Sequence, residues 1–266
     1  MQPPPDRSES KLATAIAELG GPGFPAAFAG WLQTLAAPDN LILLAFRDAG
    51  PPELLYRHSR APQVFSRLES EYLAGAYLLD PYHGLHLRGA ETGLYRLRDI
   101  APDAFQRSRY FTDYYRQTTL IDELAFLVRP APGVSLTLCL GRDAVSGRPF
   151  TPREIGICTD QSPVVTALAA RHWSGLAARA GMPGDVTGDV NGRLLRGLAG
   201  QGIALTPRQA EVALLILQGH STASIGLRLG VSAQTVKVFR RQLYARCGLT
   251  SQAELFALML PLLRDG

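Results

Sequence analysis

Lys237, Val238 and Arg241 are the three residues whose types and spacing say most about chemistry. Residues four apart on a helix lie one turn apart on one face, so Lys237 and Arg241 project in parallel. Their cationic groups can donate to guanine O6 and N7 in a major groove, and Val238 can meet a thymine methyl. Gln234 and Arg240 fall on the same side. Ser232 and Thr235 stand at the helix start, where hydroxyls and unpaired N–H groups suit phosphate. The candidates for duplex contact are therefore Ser232, Gln234, Thr235, Lys237, Val238, Arg240 and Arg241. Val236, Phe239, Leu243 and Cys247 recur at three- and four-residue spacing and predict the inward face. Lys237 is one of only two lysines, with Lys11, in a chain that otherwise uses arginine.

These side chains need a helix held at both ends, and the flanking residues supply the signals. Thr206-Pro207-Arg208-Gln209 predicts a first helix: a hydroxyl cap, proline at the first helical position and Gln at the third. Ser221 and Ser232 predict the next two starts, and Ser251-Gln252-Ala253-Glu254 reads as a capping box for a fourth. Gly219, Gly230 and Gly248 predict the stops. Only Gly230-Val231-Ser232 joins the second and third helices, the short connection of a helix-turn-helix.

The charge balance agrees. The net charge is +4; residues 1–200 carry 20 cations and 20 anions, whereas 201–266 carry seven and three. The whole excess lies in the C-terminal unit, as a polyphosphate partner requires. Arg228 and Arg246 are expected to add non-specific attraction beside Arg240.

Leu205-Thr206-Pro207-Arg208-Gln209-Ala210-Glu211-Val212, then Gly219, Ser221, Ile225, Leu229, Val231-Ser232, Thr235-Val236-Lys237, Leu243-Tyr244 and Gly248-Leu249 resemble the LuxR-type helix-turn-helix of bacterial transcription regulators. The match runs over about residues 203–262, roughly a quarter of the chain. The resemblance implies double-stranded DNA as partner and base contacts at Lys237, Val238 and Arg241. It also implies a homodimer, with the fourth helix and its Leu255, Phe256, Met259, Leu262 and Leu263 as a dimer contact. The family commonly has His at the position of Phe239, an aliphatic residue at Arg240 and Glu at Gln209; those departures bear on single contacts.

The remaining chain reads as α+β. Residues 24–35 have helical spacing, and residues 41–46 and 54–56 read as neighbouring strands across a Gly50-Pro51-Pro52 turn. Phe65, Leu68, Tyr72, Ala76 and Leu79 predict one helix that Pro81 ends. Residues 94–97, 124–128 and 134–140 read as strands, the last two as a hairpin. Thr151-Pro152-Arg153-Glu154 opens a long helix to about Trp173. The order suits an antiparallel sheet with helices, GAF/PAS-like, joined to an all-α four-helix LuxR-type unit. The boundaries are a sensor domain over 1–174, a glycine-bearing stretch over 175–202 read largely as flexible linker, and the DNA-binding domain over 203–266.

The input carried by residues 1–174 is narrowed by exclusion. A phosphorylated receiver needs an acid pair and a late Lys; Asp48 has neither beside it. Asp80-Pro81 resembles the Asp-Pro of an acyl-homoserine-lactone sensor. Arg67 and Glu71, however, stand where that family's spacing requires Trp and Tyr, which argues against a standard lactone pocket. A GAF/PAS-like or diverged autoinducer-like domain for a small-molecule effector remains. Its aromatic cluster suits an apolar pocket, although most of these rings are expected to pack the core. Tyr72, Asp80, Tyr95, Phe126 and Thr137 are the candidate ligand contacts. Ser135 and Thr137 supply hydroxyls if their strand face looks inward; a solvent face is the alternative.

Other classes are weaker. There is no Gly-x-Ser-x-Gly, P-loop, Cys-x-x-Cys or dinucleotide fingerprint, so an enzyme is disfavoured. His83 and His86 have no further ligand nearby, and His58, His172 and His220 are scattered, so no metal and no cofactor are expected. A regulator whose N-terminal domain binds a protein partner is the alternative to a ligand sensor. Cys139, Cys158 and Cys247 leave an odd thiol, residues 1–6 resemble no secretory leader, and no apolar run suits a bilayer. A cytoplasmic protein without membrane attachment is expected.

Overall fold

The run Leu41-Ile42-Leu43-Leu44-Ala45-Phe46 is apolar throughout because both sides of its strand are buried. The computed structural model describes residues 7–47, 51–177 and 186–264. Residues 1–6, Asp48, Gly50 and 178–185, on which parts of the sequence reading rest, lie outside the described residues. Five antiparallel strands form one sheet: β1 (Asn40–Arg47), β2 (Glu53–Ser59), β3 (Gly93–Arg96), β4 (Leu120–Ala131) and β5 (Val134–Asp143), in the order β2-β1-β5-β4-β3. The expected hairpin of residues 124–140 is the β4–β5 pair, with Phe126 opposite Leu138 and Leu127 opposite Thr137.

Contacts divide the chain into two units. The first holds Met1–Val64, Gly89–Asp99 and Thr119–Gly181; the second holds Phe65–Arg88, Ile100–Thr118 and Met182–Gly266. In the first, helices α1 (Arg7–Ala17), α2 (Phe24–Ala36) and α5 (Pro152–His172) share a core with one face of the sheet. Phe24, Phe28, Trp31 and Trp173 pack there with Leu43, Phe126 and Leu138. Every residue of β5 is buried, so Ser135, Thr137 and Cys139 on its second face look inward and not to solvent.

A polar cluster ties this unit together beside its apolar core. Helix α2 ends at Ala37 in a left-handed conformation (φ 42°), leaving carbonyls to be satisfied. The buried Arg142 guanidinium donates to both Ala36 O and Ala37 O at 2.8 Å and to the Glu154 carboxylate. Glu154 in turn closes the expected capping box with Thr151 at the start of α5. Asn40 donates to Asp143 at 2.8 Å, and the Asp143 N–H donates to the buried Asp39 carboxylate at 3.0 Å. One arginine therefore links a strand, the end of one helix and the start of another.

The single helix expected from Phe65 to Leu79 is replaced by short turns: Pro62–Phe65 ends where it should begin, and Leu68–Tyr72 and Ala76–Leu79 follow in the second unit. Gly75, at φ 152°, interrupts the helical path. Leu68, Tyr72, Ala76 and Leu79 are still buried, so the apolar spacing persists without a continuous helix. Pro81 does not end a helix but begins one, α3 (Pro81–Leu87), with the Asp80 carboxylate accepting the Tyr82 N–H at 2.8 Å. Proline at the first helical position lacks only an N–H that would be unpaired there. A one-turn helix, α4 (Leu97–Ile100), follows β3.

The stretch read as flexible linker contains another helix, α6 (Val186–Gly200). Its Val190, Leu194 and Leu198 are buried at four-residue spacing. A Cβ at Gly197 would lie 2.9 Å from a Leu262 methyl, so at this position the missing side chain permits close helix packing. No helix among the described residues is long and apolar enough to cross a membrane.

The Arg148 hydrogen bond, with Thr151 and Arg142, holds the Glu154 carboxyl down to about 2. Its contribution to stability is fully present above the unfolded value of about 4.3 and is lost as pH falls toward 2. Urea midpoints measured from pH 6 to pH 2.5 are expected to fall in that window, and Glu154→Gln to flatten part of the fall. Arg142→Ala removes one partner of a buried pair and is expected to cost roughly 3 kcal/mol at neutral pH.

Candidate nucleic-acid interface

The C-terminal helices are α7 (Pro207–Gln218), α8 (Thr222–Leu229), α9 (Ala233–Cys247) and α10 (Gln252–Arg264). Thr206 and Gln209 make a complete capping box for α7, each side chain accepting the other's N–H. The Ser221 hydroxyl accepts the Ser224 N–H, and the Ser232 hydroxyl accepts the Thr235 N–H at 3.0 Å. Gly219, Gly230 and Gly248 are left-handed, as their reading as stops required. The box expected at α10 is only half made. Ser251 accepts the Glu254 N–H, but the Glu254 carboxylate reaches one residue further back, to the Thr250 N–H (2.7 Å) and hydroxyl.

The turn between α8 and α9 folds back on α8. The Val231 N–H donates to Gly226 O at 2.9 Å, and a Cβ at Gly226 would stand 2.8 Å from Val231 O. Ile225 is buried against α9, whose Val236 and Leu243 are fully buried. Phe239 and Cys247, expected on the same inward face, are half-buried.

On the opposite side Gln234, Lys237, Val238 and Arg241 are exposed. Val238 is 38% exposed, an apolar side chain presented between two cations. Lys237, Arg240 and Arg241 line a shallow groove with Thr222, Tyr244 and Leu249. Arg240 lies over the Tyr244 ring at 5.5 Å from its centroid and reaches its hydroxyl, which fixes the guanidinium on the helix surface. Ser232 and Thr235 share a 2.8 Å hydrogen bond at the start of α9. All seven residues expected to meet a duplex therefore lie on one helix and its cap. Arg246 does not join them: it donates to Ala204 O (3.0 Å) and Gln209 Oε1 (3.2 Å) and fastens α9 to the start of α7.

The apolar side of α10 is not a free surface. Leu255, Phe256, Met259 and Leu263 are buried within the chain, where α10 packs on α6, α7 and the Ala76–Leu79 turn. Leu262 meets Gly197 of α6.

The five candidate ligand residues fall into separate places. Tyr72 and Asp80 are joined, the phenol donating to the carboxylate at 2.6 Å. Burial pushes the Asp80 carboxyl up to about 6 despite the hydrogen bonds from Tyr72 and Tyr82. Tyr95 and Thr137 lie on the second face of the sheet. The Thr137 hydroxyl is buried with no hydrogen-bond partner among the described residues. Phe126 points the other way, into the core under α2 and α5. Arg67 and Glu71 form an ion pair at 3.3 Å, and Arg67 also donates to Asp113 O. The sequence reading missed a cavity of about 250 Å³ in the second unit, whose lining includes Asp80, Arg88, Ile100, Leu214, His220 and Arg228. Burial, and then Arg228, lowers His220 to about 4, so it is neutral at pH 7.

Residues 203–259 match the family described as bacterial regulatory proteins, luxR family. An HTH-type transcriptional regulator from the exeN 3' region of Aeromonas salmonicida is 30% identical over 186 residues, covering 68% of this chain and 93% of that protein. This chain belongs to the luxR family. Among solved structures, the VqsR LBD domain from Pseudomonas aeruginosa is 26% identical with a TM-score of 0.54, covering 63% of this chain and 96% of that one. Escherichia coli SdiA, 14% identical with a TM-score of 0.41, covers 96% of each chain. The five-stranded sheet with its helices is thus the N-terminal fold of this luxR-family regulator, and α7–α10 are its helix-turn-helix domain.

Gly226→Ala places a methyl group against backbone that cannot yield, and is expected to cost roughly 1–3 kcal/mol. A lowered melting temperature of the full chain, with loss of helical signal, checks this.

Proposed function

We propose that this luxR-family chain is a ligand-responsive transcription factor, not an enzyme, that binds duplex DNA through the major groove as a homodimer. The observation that carries the reading is the exposed Lys237–Val238–Arg241 face of α9, backed by buried Val236 and Leu243 and set off from α8 by a three-residue turn. Lys237 and Arg241 are assigned to guanine edges, Val238 to a thymine methyl, and Gln234 to a neighbouring base edge. Ser232, Thr235 and Arg240 are assigned to phosphate. Two such helices would enter successive major grooves about 34 Å apart. The dimer contact must lie outside the buried residues of α10.

The effector reading is supported by the likeness to the VqsR LBD domain, by Asp80 held half-buried on Tyr72, and by the Thr137 hydroxyl, buried with no hydrogen-bond partner among the described residues. Tyr72, Asp80, Tyr95, Phe126 and Thr137 remain the proposed ligand contacts, with Phe126 acting from the core side of the sheet.

Selection from a random duplex library followed by fluorescence anisotropy tests the reading. Lys237→Ala and Arg241→Ala are each expected to lose roughly 10- to 100-fold in affinity for the selected site, and little for unrelated duplex, because each base contact discriminates by about 1–3 kcal/mol. Affinity should also fall steeply with salt. Undiminished specific affinity in both variants would remove the contact assignment.

A further inference from the structure

Within the second unit, the turn before α8 is gripped by residues far away in sequence. The Ala104 N–H donates to Gly219 O at 3.0 Å, and the Asp103 carboxylate accepts the Ser221 N–H at 2.9 Å. The two turns touch so closely that a Cβ at Gly219 would lie 2.8 Å from the Phe105 Cα. Gln218 donates to Leu78 O at 3.3 Å beside them. Phe105 is anchored in turn by the rings of Phe111 at 5.4 Å and Tyr115 at 5.9 Å. Hydrogen bonds from Ser221, its hydroxyl foremost, hold the Asp103 carboxyl below the ordinary carboxylate range, so it is charged at neutral pH.

The position of this charge matters. Ser221 caps α8, and the next residue, Thr222, lines the same groove as Lys237, Arg240 and Arg241. In helix-turn-helix complexes the helix before the reading helix crosses the sugar–phosphate backbone. The Asp103 carboxylate is bonded to the residue next to Thr222 in the chain, and the Ser221 N–H that could donate to a phosphate is already engaged.

We propose that residues 102–105 form an autoinhibitory latch: Asp103 holds the α7–α8 turn and fixes a negative charge beside the Lys237–Arg241 groove, so the latched chain binds duplex more weakly than the released one. The latch rests on the major-groove reading above.

The test compares the full-length protein with Asp103→Asn and Asp160→Asn. Asp160 is exposed on α5 and removes the same charge far away in sequence. Asp103→Asn is expected to bind duplex roughly two- to fivefold more tightly at low salt, the size of a helix-terminus charge effect, with the gain shrinking as salt rises. Its Ser221 amide should also exchange hydrogen faster than in wild type. Asp160→Asn should match wild type in both measurements. Equal affinities for all three proteins would overturn the latch while leaving the DNA reading intact. Three folded proteins that all ignore duplex would overturn the DNA reading, and the latch with it.

Discussion

The presentation of α9 depends on a backbone contact with no room for a side chain. Where Val231 turns back onto Gly226, the N–H to carbonyl bond is 2.9 Å and the space for a Cβ is already filled. That contact sets the direction in which α9 leaves α8. Val236 and Leu243 then seat α9, and the remaining face carries Lys237, Val238 and Arg241 outward. The chemistry of those side chains is ordinary; their common direction is what the fold supplies.

The sheet-bearing unit solves a different problem. The core face of its sheet is apolar, so the polar ends of α2 and α5 that border this core have to be satisfied by side chains. Arg142 does most of this, bonding two carbonyls and a carboxylate while remaining buried. Removing such a group leaves several partners unsatisfied at once, which is why buried ionic clusters are costly to break. On the second sheet face the Thr137 hydroxyl is buried with no hydrogen-bond partner among the described residues.

How much was legible in the sequence follows from the range of the interaction concerned. The starts and stops of α7, α8 and α9 are local, set by residues three or four apart, and the hydroxyls and glycines marked them correctly. Strand positions followed from apolar runs, although burial on both sides of β5 erased the expected meaning of its alternation. Residues 65–79 misled because the apolar spacing of a helix survives when Gly75 breaks the hydrogen-bond path. Helix α6 was hidden because glycine signals freedom in an isolated segment and close packing in a folded one; Gly197 is the second case. Arg246 looked like a free cation, yet it reaches back to Ala204. Asp103 gave no local sign at all, because its partner lies 118 residues away.

The packing of α6 has an energetic consequence. Val190, Leu194 and Leu198 are buried, Gly197 is seated on Leu262, and the helix packs on both α7 and α10. Freeing it would bring three apolar side chains into water at once, so the segment is held by the same force that holds the helices beside it.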